Sequence, residues 1–284
     1  MKATVIQKNR KVILPYILLS IFSLPILLMY LWLILSSFTS ETRFGVIPVG
    51  FTVDNWRFLW GEVQLNQQIL PSIWQSTWNS LIFSIGLTLL EVTISLSAAY
   101  ALSRMSFPGR KWILSSMMLL HAFPAVALLI AVYYVLSLLG LIDSIWGVLL
   151  LKTALQIPMS IYIMKGFFDE VSWDVEWSSL TDGCNRFTAW YQVVLPLVKP
   201  GIAAISIFSF LSAWSEFLLL YMFIYNSDYS LLSTYIKQLM GSADVIHYGV
   251  LSAVSLFYMI PVLCFFFFTQ NSLMQMNMGG GKQA

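Results

Sequence analysis

Six long apolar runs, separated by short polar segments, make up most of the chain. A helix needs about 20 apolar residues to cross the roughly 30 Å hydrocarbon core of a bilayer, and each run is long enough. The runs cover residues 12–38, 76–103, 112–140, 144–164, 200–224 and 248–268. Alternating segments of about ten residues, which are typical of membrane β-barrels, are not seen. The pattern therefore predicts an all-α, polytopic membrane protein with six transmembrane helices.

Lysine and arginine are unevenly distributed over the segments between these runs. Eleven lie in the N-terminal segment 1–11, the loop after the second run, the loop 165–199 and the tail 269–284, whereas three lie in the alternate segments. Because these residues resist translocation, the basic side is expected to be cytoplasmic. We therefore predict cytoplasmic N- and C-termini on either side of a transmembrane domain, 12–268, with a cytoplasmic loop at 165–199.

The composition supports a lipid-embedded protein. Only 10% of the residues are charged and 58% are hydrophobic, whereas soluble domains carry about 25% charged residues. The first apolar run is about twice as long as the core of a signal peptide and lacks an Ala-x-Ala cleavage pattern, which favours a retained span. Cys184 and Cys264 are too few and too far apart to indicate a disulfide framework or a metal site.

Enzyme signatures are absent from the sequence. The C-terminal "GGGKQA" is similar to the end of a phosphate-binding loop, but Met276 replaces the first glycine and Gln283 replaces the Ser or Thr that would bind magnesium. HExxH and GxSxG do not occur, and His121 and His247 are more than a hundred residues apart. We expect no enzymatic activity, no bound cofactor and no nucleic-acid partner. If ATP energises transport, another subunit must hydrolyse it.

The loop 165–199 concentrates acidic residues in an apolar chain. They are Asp169, Glu170, Asp174, Glu176 and Asp182. Ser172 can cap a helix whose first turns are acidic, which the helix dipole favours. Asp182-Gly183 is expected to end that helix, because glycine accepts the left-handed conformation of a helix exit. Leu195-Pro196 and Pro200 are expected to end a second helix and to start the fifth span. We predict an amphipathic helix-turn-helix at the membrane surface, and its acidity favours a protein partner over an anionic leaflet.

The same stretch resembles the cytoplasmic EAA loop of the permeases of ATP-binding-cassette (ABC) importers, whose pattern is roughly E-A-A-x-x-D-G-A and, further on, L-P-L. The matching residues are Asp182, Gly183, Leu195, Pro196, Leu197 and Pro200, with Cys184 in a small-residue position. The glutamate of the motif falls on Trp177 and its alanines on Ser178 and Ser179. Glu176 lies one residue earlier, about 100° around a helix.

Other stretches extend the resemblance over nearly the whole chain. "FTVDNWRFL" (51–59), "NSLIFS" (79–84), "AAYALSRMSFPGRK" (98–111) and "FLSAWSEFLL" (210–219) are similar to carbohydrate-type permeases. The glycine-containing tail "NSLMQMNMGGGKQ" is similar to that of the six-span subunit that pairs with a second permease in maltose-type and glycerol-phosphate-type importers.

The resemblance implies a mechanism and a set of partners. A short helix of the loop would dock in a cleft of a cytoplasmic ATPase dimer, which binds and hydrolyses ATP, and would transmit its closure to the spans. The implied docking residues are Glu176, Trp177, Ser178, Ser179, Asp182, Gly183, Cys184, Arg186, Leu195 and Pro196. A second permease, an extracytoplasmic solute-binding protein and membrane lipid are the other implied partners, in the inner membrane of a bacterium or archaeon, and the solute would be a carbohydrate or a related compound.

Three ionisable residues, Glu91, Lys152 and Glu216, lie inside the predicted spans. Each costs roughly 2.5–3.5 kcal/mol to insert, so such residues usually face a bundle interior or a water-filled path. We predict that Glu216 lines the translocation path and that Lys152 pairs with either glutamate. Further polar candidates for the path are Asn79, Gln156 and Ser215. For these three, hydrogen bonding between helices is an equal alternative.

Two other function classes remain open from the sequence. A self-contained secondary transporter or channel would show inverted repeats with paired broken helices and would need no soluble partner. A membrane-embedded enzyme is disfavoured by the missing catalytic residues. Copurification of a Walker-motif ATPase and a second, longer permease would separate these classes.

Overall fold

A computed structural model describes the backbone of residues 2–43, 47–61, 64–65, 68–240 and 247–279. Side chains are described between residues 15 and 268 of these ranges, apart from 64–65, 68–69, 125 and 227. The end of the predicted tail, 280–284, which includes Lys282 and most of "GGGKQA", lies outside the described residues. So do the side chains of the basic N-terminal segment.

Four helices have the length and composition of membrane spans. They are α1 (Lys2–Ser37), α2 (Ile73–Arg104), α5 (Ile145–Glu170) and α12 (Tyr248–Gly279). They coincide with the predicted spans 12–38, 76–103, 144–164 and 248–268, although α5 continues beyond residue 164 into the acidic loop. Most of the described apolar side chains of α1, from Tyr16 to Leu35, are exposed, as expected of a helix whose solvent is lipid.

The other two predicted spans are broken, and the run predicted at 112–140 forms two helices instead of one. α3 (Arg110–Ala122) and α4 (Leu129–Leu138) are joined by a short 3₁₀ turn, and the pair bends by 93°. Phe123 is extended, with ψ 134°, because the ring of Pro124 disfavours a helical conformation for the residue before it. Counting each bent pair as one span gives six spans, and counting the straight helices alone gives four.

The fifth predicted span, 200–224, also has a break. α9 (Lys199–Trp214) ends at Trp214, and three residues, 215–217, separate it from α10 (Leu218–Phe223). At its other end α9 follows the helix Arg186–Leu197 with a 76° bend. The break leaves backbone groups next to Glu216 without helical hydrogen-bond partners.

The loop 39–75 departs from the all-α expectation. It contains two short antiparallel hairpins, β1 (Glu41–Arg43) with β2 (Ile47–Val49) and β3 (Gln64–Leu65) with β4 (Gln68–Ile69). In the first hairpin Thr42 lies opposite Pro48. A 3₁₀ helix, Asp54–Leu59, follows that hairpin.

The chain divides into two compact units, 1–72 with 236–260 and 73–235 with 261–284. In the first, the Asn55 amide donates to the carbonyls of Ser37 and Thr39 at 3.1 and 2.9 Å, which fixes the chain at the end of α1.

In the second unit, α2 packs along α5 and α9 and builds a bundle with two apolar clusters. Phe83, Leu87 and Val148 belong to the cluster at one end, and Met164 and Phe168 belong to the cluster at the end that carries the loop 171–198. Each helix thus presents its apolar face to its neighbours at both ends, which holds the loop on a packed base.

Candidate functional site

The acidic loop forms a helix with a defined start and end. α6 (Trp173–Thr181) begins at Ser172, whose Oγ accepts a hydrogen bond from the Asp174 N–H at 3.2 Å, as the sequence predicted. Acidic Asp174 and Glu176 lie in the first turn, where the helix dipole favours them. The cap is a local signal, so the sequence alone was enough to place this helix start.

The exit of α6 is a glycine-dependent turn. Gly183 has φ +91° in the left-handed region, which confirms the expectation for Asp182-Gly183. Its N–H donates to Leu180 O at 3.2 Å, and the Cys184 N–H donates to Ser179 O at 3.1 Å. These two bonds make a Schellman motif, which satisfies carbonyls that the helix end leaves unpaired. The direction in which the chain leaves α6 is therefore set by backbone geometry.

The second half of the loop is a distorted helix. Asn185 caps it by accepting from the Thr188 N–H at 2.8 Å, a cap that the sequence reading missed. α7 (Arg186–Thr188), a π-helical stretch over Ala189–Val194 and α8 (Leu195–Leu197) follow without a gap. Pro196 lies in the first turn of α8, where proline is tolerated. The helix ends at Leu197 and α9 begins at Lys199, between Pro196 and Pro200, as expected for this stop.

Four large aromatic side chains are exposed on this loop. Trp173, Trp177, Phe187 and Tyr191 are 47%, 58%, 71% and 63% exposed, respectively. Of the other implied docking residues, Ser178, Asp182, Gly183, Arg186 and Pro196 are exposed, and Cys184 and Leu195 are half-buried. The Trp173 and Trp177 rings lie 6.5 Å apart on the first helix of the loop, and Phe187 and Tyr191 lie on its second half. We call these four exposed side chains the aromatic face.

Glu176 and Ser179 do not belong to the aromatic face, contrary to the expectation for them. The Glu176 side chain is 5% exposed; its Oε1 accepts from the Tyr100 hydroxyl at 2.6 Å, and its Oε2 lies 3.2 Å from Arg104 Nε. Ser179 is also buried and donates to Glu176 O at 2.7 Å. The position one residue before Trp177 turns Glu176 about 100° around the helix, away from the aromatic face and into the bundle.

Arg104, the last residue of α2, has a larger role than sequence reasoning gave it. It was counted there only as a basic residue that sets orientation. One of its terminal nitrogens donates to Phe168 O at 2.9 Å and to Val171 O at 2.6 Å. Its guanidinium carbon lies 4.5 Å from the centre of the Trp173 ring. A buried residue at a helix end, far from Glu176 in sequence, gives no local signal of this contact.

Glu91 lies in a polar layer of the α2–α5–α9 bundle. The carboxyl group is buried, at 1% exposure, and accepts hydrogen bonds from the hydroxyls of Ser160 on α5 and Ser209 on α9, the latter at 2.6 Å. Lys152 is therefore not the partner of Glu91. The two serines, which the sequence did not single out, enclose the carboxyl group between three helices rather than opening it to a path.

Glu216 lies in the break between α9 and α10 and pairs with Lys152. Lys152 Nζ is 2.5 Å from Glu216 Oε2, which answers the question that the sequence left open. The second oxygen, Oε1, accepts from the Leu219 N–H at 3.0 Å, and Ser233 donates to Glu216 O at 2.6 Å. The Glu216 side chain and carbonyl thus take part in hydrogen bonds at the break, where the regular helical hydrogen bonds are missing.

The remaining path candidates differ in their surroundings. Asn79 donates to the carbonyls of Asp228 and Ser230 at 2.8 and 3.1 Å, which supports the alternative that it ties segments together. Ser215 is exposed and bonds back to Leu211 O at 2.8 Å. Gln156, one turn beyond Lys152 on α5, has its Oε1 buried without a hydrogen-bond partner among the described residues.

Two further observations concern the chemistry of the described residues. Among them, no three His, Cys, Asp or Glu side chains come close enough to hold a metal ion. Burial raises the pKa of Tyr235 in α11 (Leu232–Met240) to about 12, so its hydroxyl stays protonated at physiological pH.

Comparison with known proteins assigns the family. Residues 91–273 match the model of the binding-protein-dependent transport system inner membrane component. The chain is 31% identical to the trehalose transport system permease protein SugB of Mycobacterium tuberculosis, over 68% of this chain and 69% of that protein. It is 28% identical to the galactooligosaccharides transport system permease protein GanQ of Bacillus subtilis, over 98% of each.

A solved structure agrees with the fold. A chain of a bacterial ABC transporter that imports the acidic polysaccharide alginate superposes with a TM-score of 0.79 at 21% identity, over 91% of this chain and 95% of that one. Broken helices, which the sequence analysis had associated with a secondary transporter, therefore also occur in this architecture. The chain belongs to the binding-protein-dependent transport system inner membrane components and is a permease subunit of an ABC importer.

Proposed function

We propose that this permease forms half of the translocation path for an oligosaccharide or a related solute and docks a cytoplasmic ATPase dimer through the aromatic face. The observation that carries the proposal is the aromatic face itself. Its four large side chains are exposed on a loop whose helices are fixed by caps at Ser172, Gly183 and Asn185. Exposed apolar patches with a polar rim mark interaction sites. A partner that covers this surface can act on a rigid element.

The ATPase supplies the chemistry in this proposal, because the chain offers no recognisable nucleotide site. A second permease completes the path, and an extracytoplasmic solute-binding protein delivers the solute. The family is named for its dependence on a binding protein, which supports that part. The relatives named for trehalose and for galactooligosaccharides support a carbohydrate as the solute.

The topology proposed for this function has six spans and cytoplasmic N- and C-termini. The spans are then α1, α2, α3 with α4, α5, α9 with α10, and α12, while the helix Arg186–Leu197 stays in the cytoplasmic loop and the basic loops face the cytoplasm. Cys184 offers a test in a Cys264→Ser background. A membrane-impermeant maleimide is expected to label Cys184 in inside-out vesicles and not in intact cells. The reverse labelling would invert the topology.

The docking proposal is tested by copurification of the whole importer on a tag on this chain. Trp177→Ala and Phe187→Ala are expected to reduce the recovered ATPase at least about tenfold, since aromatic residues at interface centres often contribute 2 kcal/mol or more. Trp146→Ala is the matched control, because Trp146 is as exposed as Trp177, at 58%, but lies at the start of α5. Equal recovery from all three variants would remove the aromatic face from docking.

The solute is tested by uptake into cells that lack or contain this chain. Radiolabelled trehalose, maltodextrin, galactooligosaccharide and diacetylchitobiose form the panel, with an amino acid as the control for a different solute class. Loss of uptake of at least one sugar on deletion, restored by the gene, is expected. Unchanged uptake of every sugar with loss of amino acid uptake would overturn the carbohydrate assignment.

A further inference from the structure

Arg104 joins three elements at the loop-bearing end of the bundle. It is the last residue of α2, it contacts the carbonyls of Phe168 and Val171 at the end of α5, and it faces Glu176 on α6. The side chain is 1% exposed, so these contacts replace water completely. We call Arg104 with these partners the arginine clamp.

The clamp satisfies groups that would otherwise be unpaired. The last carbonyls of a helix have no intrahelical donors, and Phe168 O and Val171 O lie where α5 ends and α6 has not begun. A buried arginine needs acceptors for several N–H groups as well as a negative charge. The two carbonyls and the Glu176 carboxylate provide both at one point.

The contacts are of different kinds and hold different parts of the loop. The bonds to Phe168 O and Val171 O fix the connection from α5. The Arg104 Nε–Glu176 Oε2 contact at 3.2 Å is a charge contact without hydrogen-bond alignment, and the Tyr100 hydroxyl orients the carboxylate from its other oxygen. The guanidinium plane lies over Trp173, which is part of the aromatic face. The clamp thus reaches from the bundle interior to the docking surface.

We infer that Arg104 is the positioning residue for coupling: it fixes α6 to the ends of α2 and α5, so that a displacement of the aromatic face moves both helices as one body. This rests on the proposed docking of an ATPase at that face. Without the clamp, α6 would keep its packing on Ala189–Val194 and the Tyr100–Glu176 hydrogen bond but would lose its contact with the end of α5. A push on α6 would then turn the helix instead of moving α2 and α5 together. Packed interfaces transmit motion only when they shift as units.

Lysine is not expected to replace arginine here. An ammonium group is a compact point charge, whereas the planar guanidinium presents donors in several fixed directions and stacks on an aromatic ring. Arg104→Lys keeps the charge for Glu176 but cannot reach Phe168 O, Val171 O and the Trp173 ring together. Arg104→Lys therefore distinguishes a role that needs all of these contacts from a role that needs only the charge opposite Glu176.

The test measures the position of α6 relative to α2 in the whole importer. Spin labels are placed on Thr181→Cys, an exposed site on α6, and on Ser97→Cys, an exposed site on α2, in a Cys184→Ser, Cys264→Ser background. Their distance distribution is measured by pulsed electron paramagnetic resonance, with and without ATP and vanadate. The parent chain is expected to give one narrow distribution that stays narrow in both states. In Arg104→Ala the distribution is expected to be at least about twofold broader, because the loop can open locally.

Further variants keep the test decisive. Arg104→Lys is expected to be intermediate, and Tyr100→Phe, which removes only the hydrogen bond to Glu176 Oε1, is expected to broaden the distribution slightly. These two carry the test if Arg104→Ala is not recovered from membranes. Lys111→Ala is the control, since it removes an exposed cation from the same loop region. A distribution as narrow in both Arg104 variants as in Lys111→Ala would overturn the inference.

The outcomes for docking and for the clamp are separable. ATPase recovery on the tagged chain reports docking, whereas the distance distribution reports attachment of α6 to α2 and can be measured on the full chain alone. We expect Arg104→Ala to keep the ATPase bound while ATP hydrolysis no longer drives uptake of the sugar identified by the panel. If the parent chain recovers no ATPase, the proposed function fails. If Arg104→Ala keeps full ATP-driven uptake, the clamp is not needed for coupling.

Discussion

Two ion pairs of the second unit, Arg104–Glu176 and Lys152–Glu216, differ in depth and in the number of groups that share them. Arg104–Glu176 is sealed, with side chains 1% and 5% exposed, and the arginine also holds two backbone carbonyls and an aromatic ring. Lys152–Glu216 is a single contact at 2.5 Å, with the lysine 18% and the glutamate 8% exposed. A fully buried charge that several groups share is costly to separate, whereas a lysine that keeps some exposure can exchange its partner for water at a lower cost. The Arg104–Glu176 pair is therefore suited to holding α6 in a fixed position. The Lys152–Glu216 pair is suited to a segment whose contacts change between transport states.

Breaking the sealed pair is the change with the largest expected effect. Glu176→Ala leaves Arg104 charged and buried without its carboxylate, which typically costs about 3–5 kcal/mol. We expect a large fall in the thermal denaturation temperature of the purified chain, followed by tryptophan fluorescence or size-exclusion recovery. Glu170→Ala, which removes an exposed acid at the end of α5, is the control and is expected to change little. Equal stability of the two variants would mean that the Arg104–Glu176 contact is not the buried pair we describe.

Changes in the polar layer around Glu91, between the two apolar clusters of the bundle, are expected to have the second-largest effect on stability. Ser209→Ala removes one of the two donors to the buried Glu91 carboxyl, at a cost of about 1–3 kcal/mol for an unmade buried hydrogen bond. Ser160→Ala is expected to act in the same way, and Ser160→Ala with Ser209→Ala more than either alone. Ser206→Ala, on the same helix but with its hydroxyl bonded to Ile202 O, serves as the control. The same denaturation measurement decides, and a neutral Ser209→Ala would contradict the enclosed-carboxyl geometry.

The Lys152–Glu216 pair is expected to matter more for transport than for stability. Glu216→Gln keeps an oxygen that can accept from the Leu219 N–H and removes only the charge opposite Lys152, so we expect a smaller fall in denaturation temperature than for Glu176→Ala. Uptake of the sugar from the panel is expected to fall about tenfold, since the coupling energy between states is commonly 1–3 kcal/mol. Lys152→Met is expected to lower sugar uptake by a similar factor. Full uptake by both variants would leave the pair as structure alone.

Local signals account for what the sequence predicted correctly, and long-range contacts account for what it missed. Ser172 and Gly183 are recognisable because a cap and a glycine exit depend on neighbouring residues. Lys152 was expected to pair with a glutamate because an unpaired charge in lipid is costly, but hydropathy cannot choose between Glu91 and Glu216. The choice follows from Ser160 and Ser209, which occupy Glu91 from two other helices.

The prolines also show that local sequence cannot predict a feature that depends on long-range contacts. Pro25, Pro158 and Pro261 lie inside helices, whereas Pro124 follows a break of 93°. Each has apolar neighbours, so a hydropathy window treats them alike and predicted one straight span over 112–140. Whether a neighbouring segment satisfies the freed backbone groups decides between a continuous helix and a break, and that information is tertiary.

The prediction with the smallest expected effect compares an alanine substitution at the exit of α6 with the same substitution at a similar turn outside the loop 165–199. Gly183 and Gly109 have φ +91° and +88°, and a Cβ on either would meet no atom within 4 Å. Alanine at either position should therefore cost about 1 kcal/mol from the backbone alone, and the two variants should denature together. Only Gly183 sets the direction of the chain between α6 and the rest of the aromatic face. We expect Gly183→Ala to lower the uptake obtained per ATP hydrolysed, with Gly109→Ala close to the parent. Since the strain is the same at both sites, a difference in coupling would assign the effect to the position of the turn, and equal coupling would remove Gly183 from the transmission of motion.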